Sequence, residues 1–139
     1  MILLDTNVVS AFMQREVDPS VVRWLNDQAP ESIWTTSITV LEVRMGLGLL
    51  AAGKRRRLLE EAFEKMLEED FEQRVLAFDT AAAHAAGRIA AERRRAGRPV
   101  EIRDLQIAGI ATARRAAIAT RNVRHFEGLT IPVIDPWTA

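Results

Sequence analysis

The chain has 139 residues, enough for one folded domain with a real core, and its 48% hydrophobic and 27% charged content excludes a disordered or fibrous chain. It has no cysteine and only two histidines, His84 and His125, which excludes thiol catalysis, disulfides, iron–sulfur clusters and cysteine- or histidine-rich zinc sites. Any metal would rest on carboxylates, which favours magnesium or manganese. Basic and acidic residues balance at 19 each, so nothing global draws the chain to nucleic acid; local basic runs survive at Lys54–Arg57 and around Arg93, Arg94, Arg95 and Arg98.

No apolar run approaches the roughly 20 residues of a membrane span. The opening residues also lack a basic region followed by a signal-like stretch, so a cytoplasmic protein with no membrane partner is expected. In chain order, residues 2–4 read as a short buried strand, 8–12 as a brief helix, and Pro19 suits the first turn of a helix to about Asn26. Residues 33–35 suggest a second strand. Ser37 can cap a helix running towards Leu50, with Gly53 ending it. Leu58, Leu59, Ala62, Phe63, Met66 and Leu67 recur at helical spacing, which predicts an amphipathic helix over 55–69.

Residues 75–78 resemble a third strand, followed by an alanine-rich helix capped by Asp79 or Thr80 and carried to Gly97. Asp104 begins a helix over 105–116, residues 118–119 form a fourth strand, and 131–134 a fifth. Strands alternating with helices indicate an α/β fold with a mostly parallel sheet covered on both faces. No linker or repeat divides the chain, so residues 1–139 are expected to form a single domain.

Three acids stand where ordinary surface acids do not. Asp5 follows a strand buried on both sides, at the carboxyl edge where such folds place their sites, although a helix cap explains it equally well. Glu42 shares a helix face with Ile38, Met45 and Leu49, and a glutamate in an apolar stripe needs a partner or a polar pocket. An arginine from elsewhere in the chain could neutralise it. Asp104 lies with Ile107, Ala108 and Ala111 at a helix start, again a routine place for a capping acid. Thr120 and Asn122 follow the fourth strand, where Asn122 can orient a water or merely serve a turn. If these acids converge, their repulsion calls for a hard divalent cation, and phosphodiester hydrolysis is the chemistry that uses the whole set.

The stretches "ILLDTNVVS", "SITVLEVRMG", "EIRDLQIAGIA" and "ATRNVRHFEGL", with "IPVIDPW" at the end, resemble those of PIN-domain ribonucleases, and within them the VapC toxins of toxin–antitoxin pairs. The resemblance spans the whole chain in family order. It implies a PIN-like three-layer α/β/α sandwich of about five strands. It also implies Mg2+- or Mn2+-dependent endoribonuclease activity that leaves a 5′-phosphate and a 3′-hydroxyl. Asp5, Glu42 and Asp104 match the metal-binding acids, and Thr6 and Thr120 match supporting hydroxyl residues. Asn122 stands where the family often has a fourth acid, and His125 where it has another.

The resemblance further implies an RNA substrate such as transfer RNA or ribosomal RNA, a VapB-like antitoxin, a homodimer and a toxin–antitoxin hetero-oligomer. The stripe from Leu58 to Leu67, with Leu47 and Leu50, is the expected antitoxin groove, and an antitoxin arginine could neutralise the acids. Arg98 and Arg103 are the first candidates to contact RNA, with Arg121 and Arg124 second; a solvated helix face is the plain alternative. Two other functions compete: a metal-free α/β binding module, and a metal-dependent phosphatase on small phosphate esters.

Overall fold

Neighbouring side chains of the first strand point to opposite faces, so an all-apolar strand must be covered on both sides. The computed structural model describes residues 1–139 and shows this arrangement. Its elements are β1 (Ile2–Leu4), α1 (Thr6–Phe12), α2 (Pro19–Asn26), β2 (Ile33–Thr36), α3 (Ser37–Gly48), α4 (Lys54–Lys65), β3 (Val75–Leu76), α5 (Thr80–Arg95), α6 (Ile102–Arg114), β4 (Ala117–Ala119) and β5 (Val133–Ile134). The five strands lie in the order β3-β2-β1-β4-β5 and every pairing is parallel, so the mostly parallel sheet expected is wholly so.

Leu3 and Ile118 enter one core with Ile107, Ile110 and Ala111 of α6 and Ala82 of α5. Leu4 and Ala119, the next residues along, enter a second core with Val8, Val9, Trp24, Val43, Leu47 and Phe63 from α1 to α4. Alternation along β1 and β4 thus divides the helices into two layers around the sheet. No helix is long and apolar enough to cross a membrane.

Several local expectations are corrected. Thr36, not Ser37, caps α3 by accepting the Thr39 amide at 3.1 Å, while the Ser37 hydroxyl accepts the Phe78 amide at 3.3 Å. Gly53 does not end α3, which stops at Gly48; with φ 159° it precedes α4 instead. The helix expected over 55–69 turns π-helical from Met66 to Asp70, bringing Met66 and Leu67 into the second core. Of the two caps proposed for α5, Asp79 serves, accepting the Ala82 amide at 2.9 Å. Strand β1 pairs with both β2 and β4, and the chain runs outward from it in opposite directions. The strand order therefore reverses between β1 and β4, and the crevice beyond their carboxyl ends is where an open parallel sheet offers a site.

Candidate active site

Asp5 stands at that reversal, buried, directly after β1. Its Oδ1 accepts the Thr6 amide at 2.8 Å, and so caps α1. Its Oδ2 accepts from the Thr120 hydroxyl at 2.8 Å and from Asn7 Nδ2 at 3.1 Å. Capping and site roles therefore coexist on one carboxylate. Burial pushes the Asp5 carboxyl above its ordinary range, and the bonds from Thr120, Thr6 and Asn7 pull it partly back.

Glu42 reaches the same edge from α3. Thr6 Oγ1 donates to its Oε1 at 2.8 Å, and Arg103 Nη1 lies 3.6 Å from its Oε2, the cation from elsewhere in the chain that its position requires. The stripe assigned to Glu42 is corrected: Met45 and Leu49 are 47% and 81% exposed, and α3 buries Ile38, Thr39, Val43 and Leu47 instead. Glu42 is half-buried because α1 and α6 close over it, not because its own helix face is sunk. Arg44 turns away to pair with Glu64 of α4.

Asp104 lies in the first turn of α6, at the helix start as expected, but as its third residue, which corrects the expected beginning of the helix and its capping role. Glu101 is the cap, accepting the Asp104 amide at 2.8 Å, and this leaves the Asp104 carboxylate free of capping. His125 Nδ1 lies 3.0 Å from Asp104 Oδ2. Burial raises the Asp104 carboxyl, His125 opposes the rise, and the charges of Glu101, Asp5 and Glu42 add to it. The three acids from β1, α3 and α6 thus share one electrostatic field.

Thr120 is fully buried after β4; besides donating to Asp5 it accepts from Asn7 Nδ2 at 3.2 Å and from the Asn122 amide at 3.0 Å. The Asn122 side chain is exposed and does not cap the turn over Val123–Phe126. Among the candidate RNA contacts, Arg103 is engaged by Glu42 and Glu101, and Arg98 lies 3.7 Å from Glu127. Arg121 sets its guanidinium 4.7 Å from the Trp137 ring centroid, while Arg124 is exposed. Asn7 and Thr39 had no part in the site read from sequence. Asn7 ties Asp5 to Thr120 and accepts the Arg121 amide at 2.9 Å, and Thr39 lies 3.3 Å from the Thr6 hydroxyl. The signal for Asn7 is its place in the run Asp5-Thr6-Asn7; Thr39 has none.

The donors are all hard oxygen, and their mutual repulsion is only partly met by Arg103 and His125, so the set fits magnesium or manganese. No three acidic or histidine side chains close on one point as a finished cage. An all-parallel sheet bearing acids from three elements at its switch point is a PIN-like arrangement. The PIN domain family matches residues 2–129, and the chain belongs to that family, on its VapC-like branch. It is 43% identical to the plasmid stability protein StbB of Pseudomonas syringae, with all of both chains covered. It is 35% identical to the VapC ribonuclease Y4jK of Sinorhizobium fredii, over 99% of this chain and 98% of that one. Among solved structures, FitAcB from Neisseria gonorrhoeae aligns over 100% of both chains with 33% identity and a TM-score of 0.91.

Proposed function

We propose that this chain is the toxin of a toxin–antitoxin pair and acts as a magnesium- or manganese-dependent endoribonuclease. What carries the reading is the linkage of Asp5, Glu42 and Asp104 at one sheet edge, where Thr6, next to Asp5, donates to Glu42 at 2.8 Å and Arg103, next to Asp104, lies 3.6 Å from Glu42. The name of the Sinorhizobium relative, a VapC ribonuclease, supports RNA as substrate. Asp5, Glu42 and Asp104 would hold the cation, which when bound supplies a Lewis acid that activates water and offsets charge developing on phosphorus. Thr120 and Asn7 fix the orientation of Asp5, and Thr6 fixes that of Glu42. Arg103 occupies Glu42 and would exchange partners as RNA and cation enter. A transfer or ribosomal RNA remains the substrate class the resemblance implies.

Labelled RNA and a small phosphate ester, each incubated with magnesium or chelator, test the activity. Magnesium-dependent RNA cleavage is expected, abolished by Asp5→Asn, Glu42→Gln or Asp104→Asn; exclusive turnover of the ester would assign a phosphatase. The absence of a closed acidic cage is the observation on the side of a metal-free binding module. Manganese calorimetry separates them: absence of binding by the wild type would defeat the nuclease reading.

The proposal includes a VapB-like antitoxin, a homodimer, a hetero-oligomer with that antitoxin, and action in the cytoplasm. The groove expected along Leu58 to Leu67 is corrected, because Phe63, Met66, Leu67 and also Leu47 are buried in the second core. The large apolar side chains left exposed around α3 and α4 are Leu41 and Met45 on α3, Leu49 directly after it, and Leu58 of α4. That row is the antitoxin surface in this reading.

A further inference from the structure

Residues of α5 and α6 and of the segment after Phe126 line an open-sided cavity of about 340 Å3. Its lining includes Arg88, Arg93, Arg98, Glu92, Glu127 and Thr112, so three guanidinium groups face two carboxylates. Arg93 is only 8% exposed, yet it has no carboxylate in salt-bridge range; its contact is the Glu127 carbonyl at 3.5 Å. Thr112 also lines the cavity, and its Oγ1 is buried with no hydrogen-bond partner. Glu127 is drawn instead to Arg98, at 3.7 Å and partly exposed.

A buried guanidinium outside salt-bridge range of any carboxylate and an orphaned hydroxyl are each costly, and an oxyanion taken up in the cavity that both residues line would lower those costs. The fork of an arginine matches phosphate oxygens, and a threonine hydroxyl supplies a further donor. The cavity is also linked to the acids: His125 touches Asp104, and two residues on, Glu127 offers its carbonyl to Arg93. Acids that repel phosphate next to a cavity that attracts it can fix the register of a polyanionic strand.

We propose that Arg93, Arg98 and Thr112 form an oxyanion site that takes a backbone phosphate of the RNA beside the one that is cut. The site rests on the nuclease reading for the identity of its ligand, but not for its affinity for an oxyanion. An acidic protein segment could present carboxylates of similar charge, and Glu92 and Glu127 oppose either ligand; RNA is assigned because the cavity adjoins the proposed cleavage site through Glu127, His125 and Asp104.

The first test follows the Arg93 side-chain Nε–H resonance of the full chain during titration with inorganic sulfate at constant ionic strength. A saturable shift is expected, lost in Thr112→Val or weakened at least threefold; no shift overturns the site. The second measures binding of a short single-stranded RNA without divalent metal, on the cleavage-blocked Asp5→Asn background, over a range of salt. Arg93→Met and the more exposed Arg98→Gln should each weaken binding about five- to tenfold and reduce the log–log salt slope by roughly 0.7, the value for one single-strand phosphate. Unchanged RNA binding in both variants, or displacement of sulfate by an oligoglutamate peptide but not by RNA, overturns the assignment to RNA. Cleavage by the wild type with magnesium is scored separately. Cleavage without arginine-dependent binding removes only the phosphate site, and arginine-dependent binding without cleavage removes only the nuclease reading.

Discussion

Asp5 is held by three donors and still disfavoured as a charge, and that tension sets its contribution to stability. Its carboxyl is raised above the ordinary value by burial, so the folded chain holds that proton more tightly than the unfolded chain does. Stability from this group is therefore largest at low pH and falls as pH rises from the unfolded value through the folded one, leaving a net cost at pH 7. Asp5→Asn without divalent metal is expected to raise the melting temperature measured at pH 7 above that of the wild type. A lower melting temperature in that variant would show that the Thr6, Asn7 and Thr120 bonds outweigh burial. Thr120→Val removes the 2.8 Å donor to a buried carboxylate, and should destabilise the fold by about 2 kcal/mol in urea unfolding at neutral pH. The Asp5 and Thr120 pairing was half legible in sequence: both follow strands, but a hydrogen bond across 115 positions depends on β1 lying beside β4.

At the scale of elements, the site depends on where α6 is anchored. Glu101 caps it and Gly109 lets it approach α5: a Cβ at Gly109 would lie 2.4 Å from the Ala82 carbonyl oxygen and 2.8 Å from Ala86 Cβ. Neither backbone atom nor helix can yield cheaply. Gly109→Ala is expected to cost about 2–3 kcal/mol by overpacking and to displace Asp104, lowering manganese affinity together with stability. Glu101→Ala should cost about 1 kcal/mol through the lost cap. An unchanged melting curve for Gly109→Ala would mean that the two helices separate freely. The helix itself was readable from its apolar period, but its first turn was not: Ile102 is exposed and Glu101 reads as one more surface acid. The same phase problem moved the exposed row on α3. Ile38, Met45 and Leu49 read as one apolar stripe, and only the tertiary contacts leave Met45 and Leu49 outside and select Thr39, Val43 and Leu47 to join Ile38 in the interior.

Across the whole molecule, the proposed function assigns work to two surfaces: the carboxylate edge of the sheet, and the exposed apolar side chains of α3 and the residue after it. Leu41→Lys combined with Leu49→Lys is expected to abolish binding of the antitoxin while shifting the melting temperature of the isolated chain little, because both side chains are already exposed. Co-purification with an antitoxin unaffected by the pair would place that partner elsewhere. The neutral total of 19 basic and 19 acidic residues concealed the local charge arrangement, in which arginines gather behind the acids. By itself the sequence determined the alternation of strands and helices and supplied the three acids, Asp5, Glu42 and Asp104, on which the proposed site rests, because short-range patterning and residue chemistry are written along the chain. Tertiary structure alone decided the strand order that sets Asp5 against Thr120, the release of Asp104 from capping, the partners of Glu42, and the burial of Arg93 outside salt-bridge range of any carboxylate. Those depend on which distant segments pack together, and a linear pattern carries no record of that.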